Sequence, residues 1–500
     1  MNAVPVASAT PIRFPDRFFI GGEWVKPSSE GMIEVISPTT EQLYVRVAEA
    51  RKADVAAAVT AARRAFDEGP WPRMTHVERA GYLRAIAREV AARAKDFAFA
   101  SPNEVGILHT HATAGAQGLP GVYEYYAGLA DTFPFYERHV PGPSARGGRG
   151  LLVREPVGVV ATIIPWNGPS TLIAYKISPA LLAGCTVIVK SSPEAPSAGY
   201  IMAEIIEAAK LPPGVVNFVT ADREASESLV RDPRVDKISF TGSSAVGKRI
   251  ASICSERVGR FTLELGGKSA AVVLDDYDVA TAAESISQSA RVLTGQICYS
   301  ISRVIVDRAR HDDFVEALGA SFRKIRIGNP FEAGTDMGPL AMQRQRERVE
   351  YYIAKGREEG ATLVTGGGRP KHLDRGFFIE PTVFGHVDNR STIGREEIFG
   401  PVISVIPADS EAQAIELAND TIYGLNASVF TTDSRRAYRV SRQLRSGTVG
   451  HNGVRTDPSI AFGGFKQSGI GREGGREGLL PYLETKTVLL DADPGALGSY

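Results

Sequence analysis

A chain of 500 residues is too long for a single hydrophobic core, and with 43% hydrophobic and 23% charged residues it is expected to fold as two large lobes of a soluble globular protein. Its 57 basic residues balance its 57 acidic ones, so no net field draws it onto nucleic acid or a membrane surface. Cys185, Cys254 and Cys298 are widely spaced and form no CxxC pair, which argues against a disulfide framework or a metal site and predicts a reducing, cytoplasmic setting.

In chain order, residues 1–16 are rich in alanine and proline and lack the basic start and apolar run of a secretory leader. Residues 54–66 place Val55, Ala58, Val59, Ala62 and Phe66 at helical spacing. Residues 77–99 predict a second, alanine-rich helix with arginine and glutamate on its outer face. Residues 141–150, with two prolines and four glycines, read as a linker or an exposed arm. Residues 157–164 are a continuous apolar run closed by Pro165, the mark of a strand buried on both faces. The longest apolar run, residues 180–189, is about half of what a membrane crossing needs. Strands over 186–189, 215–219 and 237–240 follow. Strands over 270–274, 303–306 and 402–406, with a helix over 411–418, form a second series. Such alternation points to α/β with a largely parallel sheet.

Two glycine motifs fail on context. Residues 469–474 match GxGxxG, but residues 462–468 before them make no buried strand. Gly267-Lys268-Ser269 resembles the end of a P-loop, yet Thr262 stands where the first glycine belongs. Residues 240–247 are better placed, because Gly242 and Ser243 follow a strand and open a helix. Free N–H groups there suit a phosphate, although the segment read alone is an ordinary N-cap. Cys298 is the strongest nucleophile candidate, and Glu264, 34 positions upstream, supplies a carboxylate to order or deprotonate water. Gly266, Gly267 and Gly295 beside them leave room for another molecule's flat face to reach the backbone.

Taken together, Pro165-Trp166-Asn167, Lys190 with residues 191–196, Phe240-Thr241-Gly242-Ser243, Glu264-Leu265-Gly266-Gly267-Lys268 and Gly295-Gln296-Ile297-Cys298 closely resemble the aldehyde dehydrogenase superfamily, in its order. Residues 396–402 and 462–469 extend the resemblance, which spans residues 19–489. It implies an α/β fold of two Rossmann-like parallel-sheet domains, cofactor-binding (1–132 and 152–265) and catalytic (266–465). A small β oligomerisation arm (133–151 and 480–500) completes the implied fold. It further implies oxidation of an aldehyde through a Cys298 thiohemiacetal and thioester, with Asn167 and the cysteine N–H at the oxyanion and Glu264 activating the hydrolytic water.

By the same resemblance, Trp166, Lys190, Gly242, Ser243, Glu397 and Phe399 hold a nicotinamide cofactor. Many NAD-using members carry glutamate three residues after the lysine; here that place is Pro193, and Glu194 follows it. The expectation is NAD, with NADP left open. Gly168, Leu172, Tyr175, Ile297, Tyr299 and Phe462 would line the aldehyde tunnel. Glycine at 168, where small-aldehyde members carry a bulky aromatic, predicts a wide tunnel for medium-to-large apolar aldehydes: aliphatic, aromatic or terpenoid. Arg455 is the one cation that could reach a substrate carboxylate, and its ordinary reading is an exposed loop residue. The arm and the apolar strand near 485–490 would lie across a neighbouring subunit's sheet, giving a homodimer or homotetramer. The rivals are a semialdehyde or CoA-acylating dehydrogenase and a non-catalytic structural relative.

Overall fold

The computed structural model describes residues 10–142 and 148–495. Residues 1–9 of the amino-terminal stretch, 143–147 of the proline- and glycine-rich break and 496–500 of the C-terminal segment lie outside the described residues.

An eight-stranded sheet carries five parallel strands in the order Arg260–Glu264, Lys237–Thr241, Val159–Ile163, Thr186–Ser191, Val216–Thr220. Gly469–Ile470 closes one edge and Phe18–Ile20, followed by Glu23–Val25, the other; both edges are antiparallel. Alternate side chains of each parallel strand point to opposite faces. Val160, Val187 and Val189 therefore enter one core with Tyr123, Ile177 and Leu181, whereas Val159, Ala161 and Ile188 enter another with Val55, Val59 and Ile250. Burying a valine or isoleucine in this way contributes about 1.5–3 kcal/mol. That is why these strands read as unbroken apolar runs.

From Val159–Ile163 the chain winds outward through Thr186–Ser191 to Val216–Thr220, then returns to lay Lys237–Thr241 on the opposite side. That reversal opens a crevice at the carboxyl ends of Val159–Ile163 and Lys237–Thr241, where open α/β sheets bind ligands. Residues 165–168 and 242–243 hang from those ends.

The seven-stranded sheet runs Thr362–Thr365, Thr382–Gly385, Val402–Ala408, Ile301–Asp307, Ser269–Val273, Asn426–Phe430, Thr448–His451, and only its first pair is antiparallel. Tyr136–His139, Arg149–Pro156 and Leu483–Leu490 form a small antiparallel sheet. The C-terminal strand thus pairs with the arm of its own chain. Its outer edge carries Leu489, 62% exposed. Among the described residues no helix is long and apolar enough to cross a membrane.

The helix expected over 77–99 is two helices, His76–Ala92 and Ala94–Val105. Arg93 breaks it, because its guanidinium pairs with Asp96 and Glu204 and donates to the Pro11 carbonyl. The GxGxxG stretch opens with a two-residue edge strand and leads into no α-helix.

The helix Ser244–Glu256 ends in a Schellman motif: Gly259 N–H donates to the Cys254 carbonyl at 2.8 Å and Val258 N–H to Ser255 at 3.4 Å. Val258 holds the left-handed position at φ 55° and is 88% exposed. A β-branched residue is strained there and gains nothing from burial. Val258→Gly is expected to stabilise the protein by about 1 kcal/mol, read as a higher Tm at fixed scan rate. An unchanged or lower Tm would refute the strain.

Candidate active site

The loop bearing Cys298 follows the helix Val279–Arg291 and passes through three successive left-handed residues, Leu293 (φ 46°), Thr294 (φ 54°) and Gly295 (φ 71°). Left-handed non-glycine residues cost of order 1–3 kcal/mol each and persist only where neighbours over-determine them. Thr294 Oγ donates to the carbonyls of Gly338 (2.9 Å) and Pro339 (3.1 Å). The buried Gln296 side chain donates to Leu293 O at 2.9 Å and accepts the Ala341 N–H at 3.0 Å. Asn167 Nδ2 donates to Gln296 O at 3.0 Å. This bond ties the turn after Val159–Ile163 to the cysteine loop and leaves the second amide hydrogen of Asn167 for another acceptor.

The glycines beside Glu264 and Cys298 make room for the protein itself, not for a bound ring as the sequence reading supposed. A Cβ on Gly267 would overlap the Cys298 carbonyl, one on Gly266 the Glu397 carboxylate, and one on Gly295 the backbone of Gly400. Two motifs far apart in sequence therefore interlock at their main chains.

Cys298 is half-buried, whereas Cys185 and Cys254 are buried. Burial, together with the charges of Glu397 and Glu264, pushes the Cys298 thiol well above its ordinary range. Glu264, at the end of Arg260–Glu264, is 3% exposed, and among the described residues neither carboxylate oxygen has a hydrogen-bond partner. Burial, then the neighbouring Glu473, raises its pKa well above the usual carboxylate range, while Lys176 and Arg472 oppose the rise. Its surroundings thus oppose ionisation, which is favoured only as pH rises.

Glu473 forms a buried ion pair with Lys176, which also reaches Ser239 Oγ at 3.3 Å. The sequence reading missed both. Lys176 had a signal, being the only charge in the helix Pro169–Ala183, on the same face as Ile173, Ile177 and Ala180. Glu473 lay inside the rejected GxGxxG stretch. Lys268 was also missed; its ammonium is buried with no hydrogen-bond partner among the described residues and is pushed down to about 7 by burial.

On the crevice side, Trp166 and Phe399 meet edge to face at 5.5 Å. Glu397 accepts the Gly267 N–H at 2.9 Å, and burial lifts its pKa to about 7. Lys190 is buried, which lowers it to about 8, with Glu194 and Asp222 acting the other way. Glu194 does turn towards Lys190, but its carboxylate is already held by the Ser192 hydroxyl and the Arg344 guanidinium. Gly242 departs from expectation. Its N–H donates to the Glu264 carbonyl at 3.0 Å, and the Phe240 ring fills the space over its Cα. The Gly242 amide therefore ties the turn to the Glu264 strand. Ser243 caps the helix by accepting the Val246 N–H at 3.4 Å. The amides left open at this helix start are those of Ser244 and Ala245.

On the opposite side, Tyr299 and Phe462 pack edge to face at 5.8 Å, and the Tyr175 phenol feels Tyr299. A Cβ on Gly168 would meet nothing within 4 Å. Leu172 is half-buried against the core. Ile297 packs with Trp166 on the small cluster of Val105, Ala195, Leu293 and Ala341, so it supports the cysteine loop from behind. Arg455 is exposed and donates to the His451 carbonyl of its own loop at 3.1 Å. A cysteine, an ionisable acid and an amide donor thus converge between an aromatic wall and a strand-end crevice.

The model of the aldehyde dehydrogenase family matches residues 24–488. A geranial dehydrogenase of Castellaniella defragrans is 41% identical over 473 residues, covering 94% of this chain and 98% of its own. The crystal structure of a Mycobacterium tuberculosis aldehyde dehydrogenase complexed with NAD+ superposes with a TM-score of 0.92 at 44% identity, covering 97% of this chain and 99% of that one. A Pseudomonas syringae aldehyde dehydrogenase mutant in complex with NAD+ and octanal gives a TM-score of 0.92 at 36% identity, over 98% and 100% of the two chains. With one family model spanning nearly its whole length, this chain belongs to the aldehyde dehydrogenase family.

Proposed function

We propose that the enzyme oxidises medium-to-large apolar aldehydes to carboxylic acids with NAD+, through a covalent intermediate on Cys298. The observation that carries this reading is Glu264, a buried acid whose two oxygens are unpartnered among the described residues and whose ionised form acts on the Cys298 thiol. Such a group activates water and favours hydrolysis of a thioester over its transfer to CoA.

Once the Cys298 thiol has lost its proton to solvent, Sγ adds to the carbonyl carbon, and the alkoxide that forms accepts hydrogen bonds from the free Asn167 amide hydrogen and the Cys298 N–H. One such donor is worth about 3–4 kcal/mol in the transition state. Bound NAD+ supplies the hydride acceptor and a positive ring charge that favours the thiolate. Its fit is supported by the crevice at the strand reversal, the open helix start at Ser244, the aromatic pair Trp166–Phe399 and the buried Lys190. Glu397 and Glu194 would hold its two riboses. Glu264, once ionised, takes a proton from the water that cleaves the thioester, and Glu473 with Lys176 sets how readily it ionises.

The wide position at Gly168 and the rings of Tyr175, Tyr299 and Phe462 favour an apolar chain. This accords with the geranial and octanal associated with two of the relatives. The three free cysteines accord with a reducing cytoplasm, and the open edge of Leu483–Leu490 with a homodimer or homotetramer. The test is kcat/KM for acetaldehyde, hexanal, octanal and benzaldehyde with NAD+ and with NADP+. Hexanal and octanal should exceed acetaldehyde by roughly tenfold or more. Equal rates across chain length, or a strong NADP+ preference, would overturn the corresponding half of the proposal.

A further inference from the structure

The outer end of the aromatic wall is charged. Residues 458–460 approach the Tyr175 ring at Gly474: a Cβ there would stand 3.4 Å from that ring, 3.3 Å from the Pro458 carbonyl and 2.7 Å from the Ile460 carbonyl. Gly475 N–H donates to Pro458 O at 3.0 Å, which seats this segment on the wall. Asp457 is exposed at the rim, and its Oδ1 accepts both the Ser459 N–H (2.8 Å) and the Ser459 hydroxyl (2.6 Å). Its charge acts on Tyr175 and on Tyr125, which also feels Glu477 and, with opposite sign, Arg476.

The nearby guanidiniums are already engaged. Arg455 donates to the His451 carbonyl, and Arg476 donates to Thr132 O at 3.0 Å while lying over the Phe133 ring. Asp457 thus adds a carboxylate to the outer end of the aromatic wall, where the Arg455 and Arg476 guanidiniums are each taken up by a main-chain carbonyl.

From this geometry we propose that Asp457 determines specificity by charge: it disfavours aldehydes that carry a carboxylate at the far end of the chain and favours neutral or cationic ends. The inference rests on the aldehyde oxidation proposed above and names the substrate class within it. A unit charge at the rim of a largely hydrated opening shifts the rate ratio of charged to neutral substrates by about three- to tenfold, and salt weakens the effect.

The experiment uses the full-length enzyme with adipic semialdehyde, its methyl ester and a trimethylammonio aldehyde of equal length. Wild type should prefer the ester to the acid, and the preference should narrow as ionic strength rises. Asp457→Asn, which keeps the Oδ1 acceptor and so the loop, should raise the acid-to-ester ratio of kcat/KM about threefold or more and lower the ammonium-to-ester ratio. Ser459→Ala removes the hydroxyl bond to Asp457, keeps the Ser459 N–H bond and the charge, and should leave both ratios where they were. If Asp457→Asn leaves the ratios unchanged while the ester is oxidised, the charge filter is wrong. If no aldehyde is oxidised by wild type, the underlying activity is wrong instead.

Discussion

Cys298→Ser should lower kcat/KM for aldehyde oxidation by at least about 10^3-fold without changing Tm. The surroundings of Cys298 make this loss severe. Burial and the charges of Glu397 and Glu264 already oppose ionisation of a thiol, and a serine hydroxyl ionises far less readily in the same place. Burial and Glu473 oppose ionisation of Glu264 as well, so little base is at hand to compensate. The same raised pKa predicts that alkylation of Cys298 by iodoacetamide accelerates with pH beyond the range of an ordinary thiol, because the thiolate fraction is still growing there. One thiol per native chain should react with full loss of activity, since Cys185 and Cys254 are buried. Oxidation by Cys298→Ser within tenfold of wild type would remove the covalent route altogether.

Much of this site is legible in the sequence. Val159–Ile163 announces itself because both of its faces are buried, and burial on both faces leaves nothing polar in the run. Cys298, Glu264 and Asn167 sit in short local motifs, and the structure gathers them around the cysteine loop. What escaped depends on contacts distant in sequence. Lys176 and Glu473 are 297 positions apart, and nothing local to either tells that they pair. The helix break at Arg93 depends on Glu204, 111 positions away. The glycines were read as space for a ligand because a motif shows which side chain is missing without showing what fills its place. At Gly267 it is the Cys298 carbonyl, and over Gly242 it is a phenylalanine ring.

The lysine–glutamate pair gives the second large effect, and its sign can be worked out for three variants. Glu264 is a base only when ionised, so hydrolysis of the thioester rises with pH through its pKa. Whatever stabilises the carboxylate moves that rise to lower pH. Glu264→Gln should release about one equivalent of NADH per active site in a burst and then turn over about 10^2–10^4-fold more slowly, because the thioester forms but water is not activated. Glu473→Gln removes a like charge and leaves Lys176, so the rise should move to lower pH. Lys176→Met removes the cation that favours the carboxylate, so the rise should move to higher pH, opposite to the first shift. Stranding one member of a buried pair costs about 3–5 kcal/mol of stability. The double variant Lys176→Met/Glu473→Gln therefore serves as the folded reference, in which both charges are gone and burial alone sets the acid. The measurements are pre-steady-state NADH release and the pH profile of kcat. Shifts of the same sign in Glu473→Gln and Lys176→Met, or no burst with Glu264→Gln, would show that Glu264 does not govern deacylation.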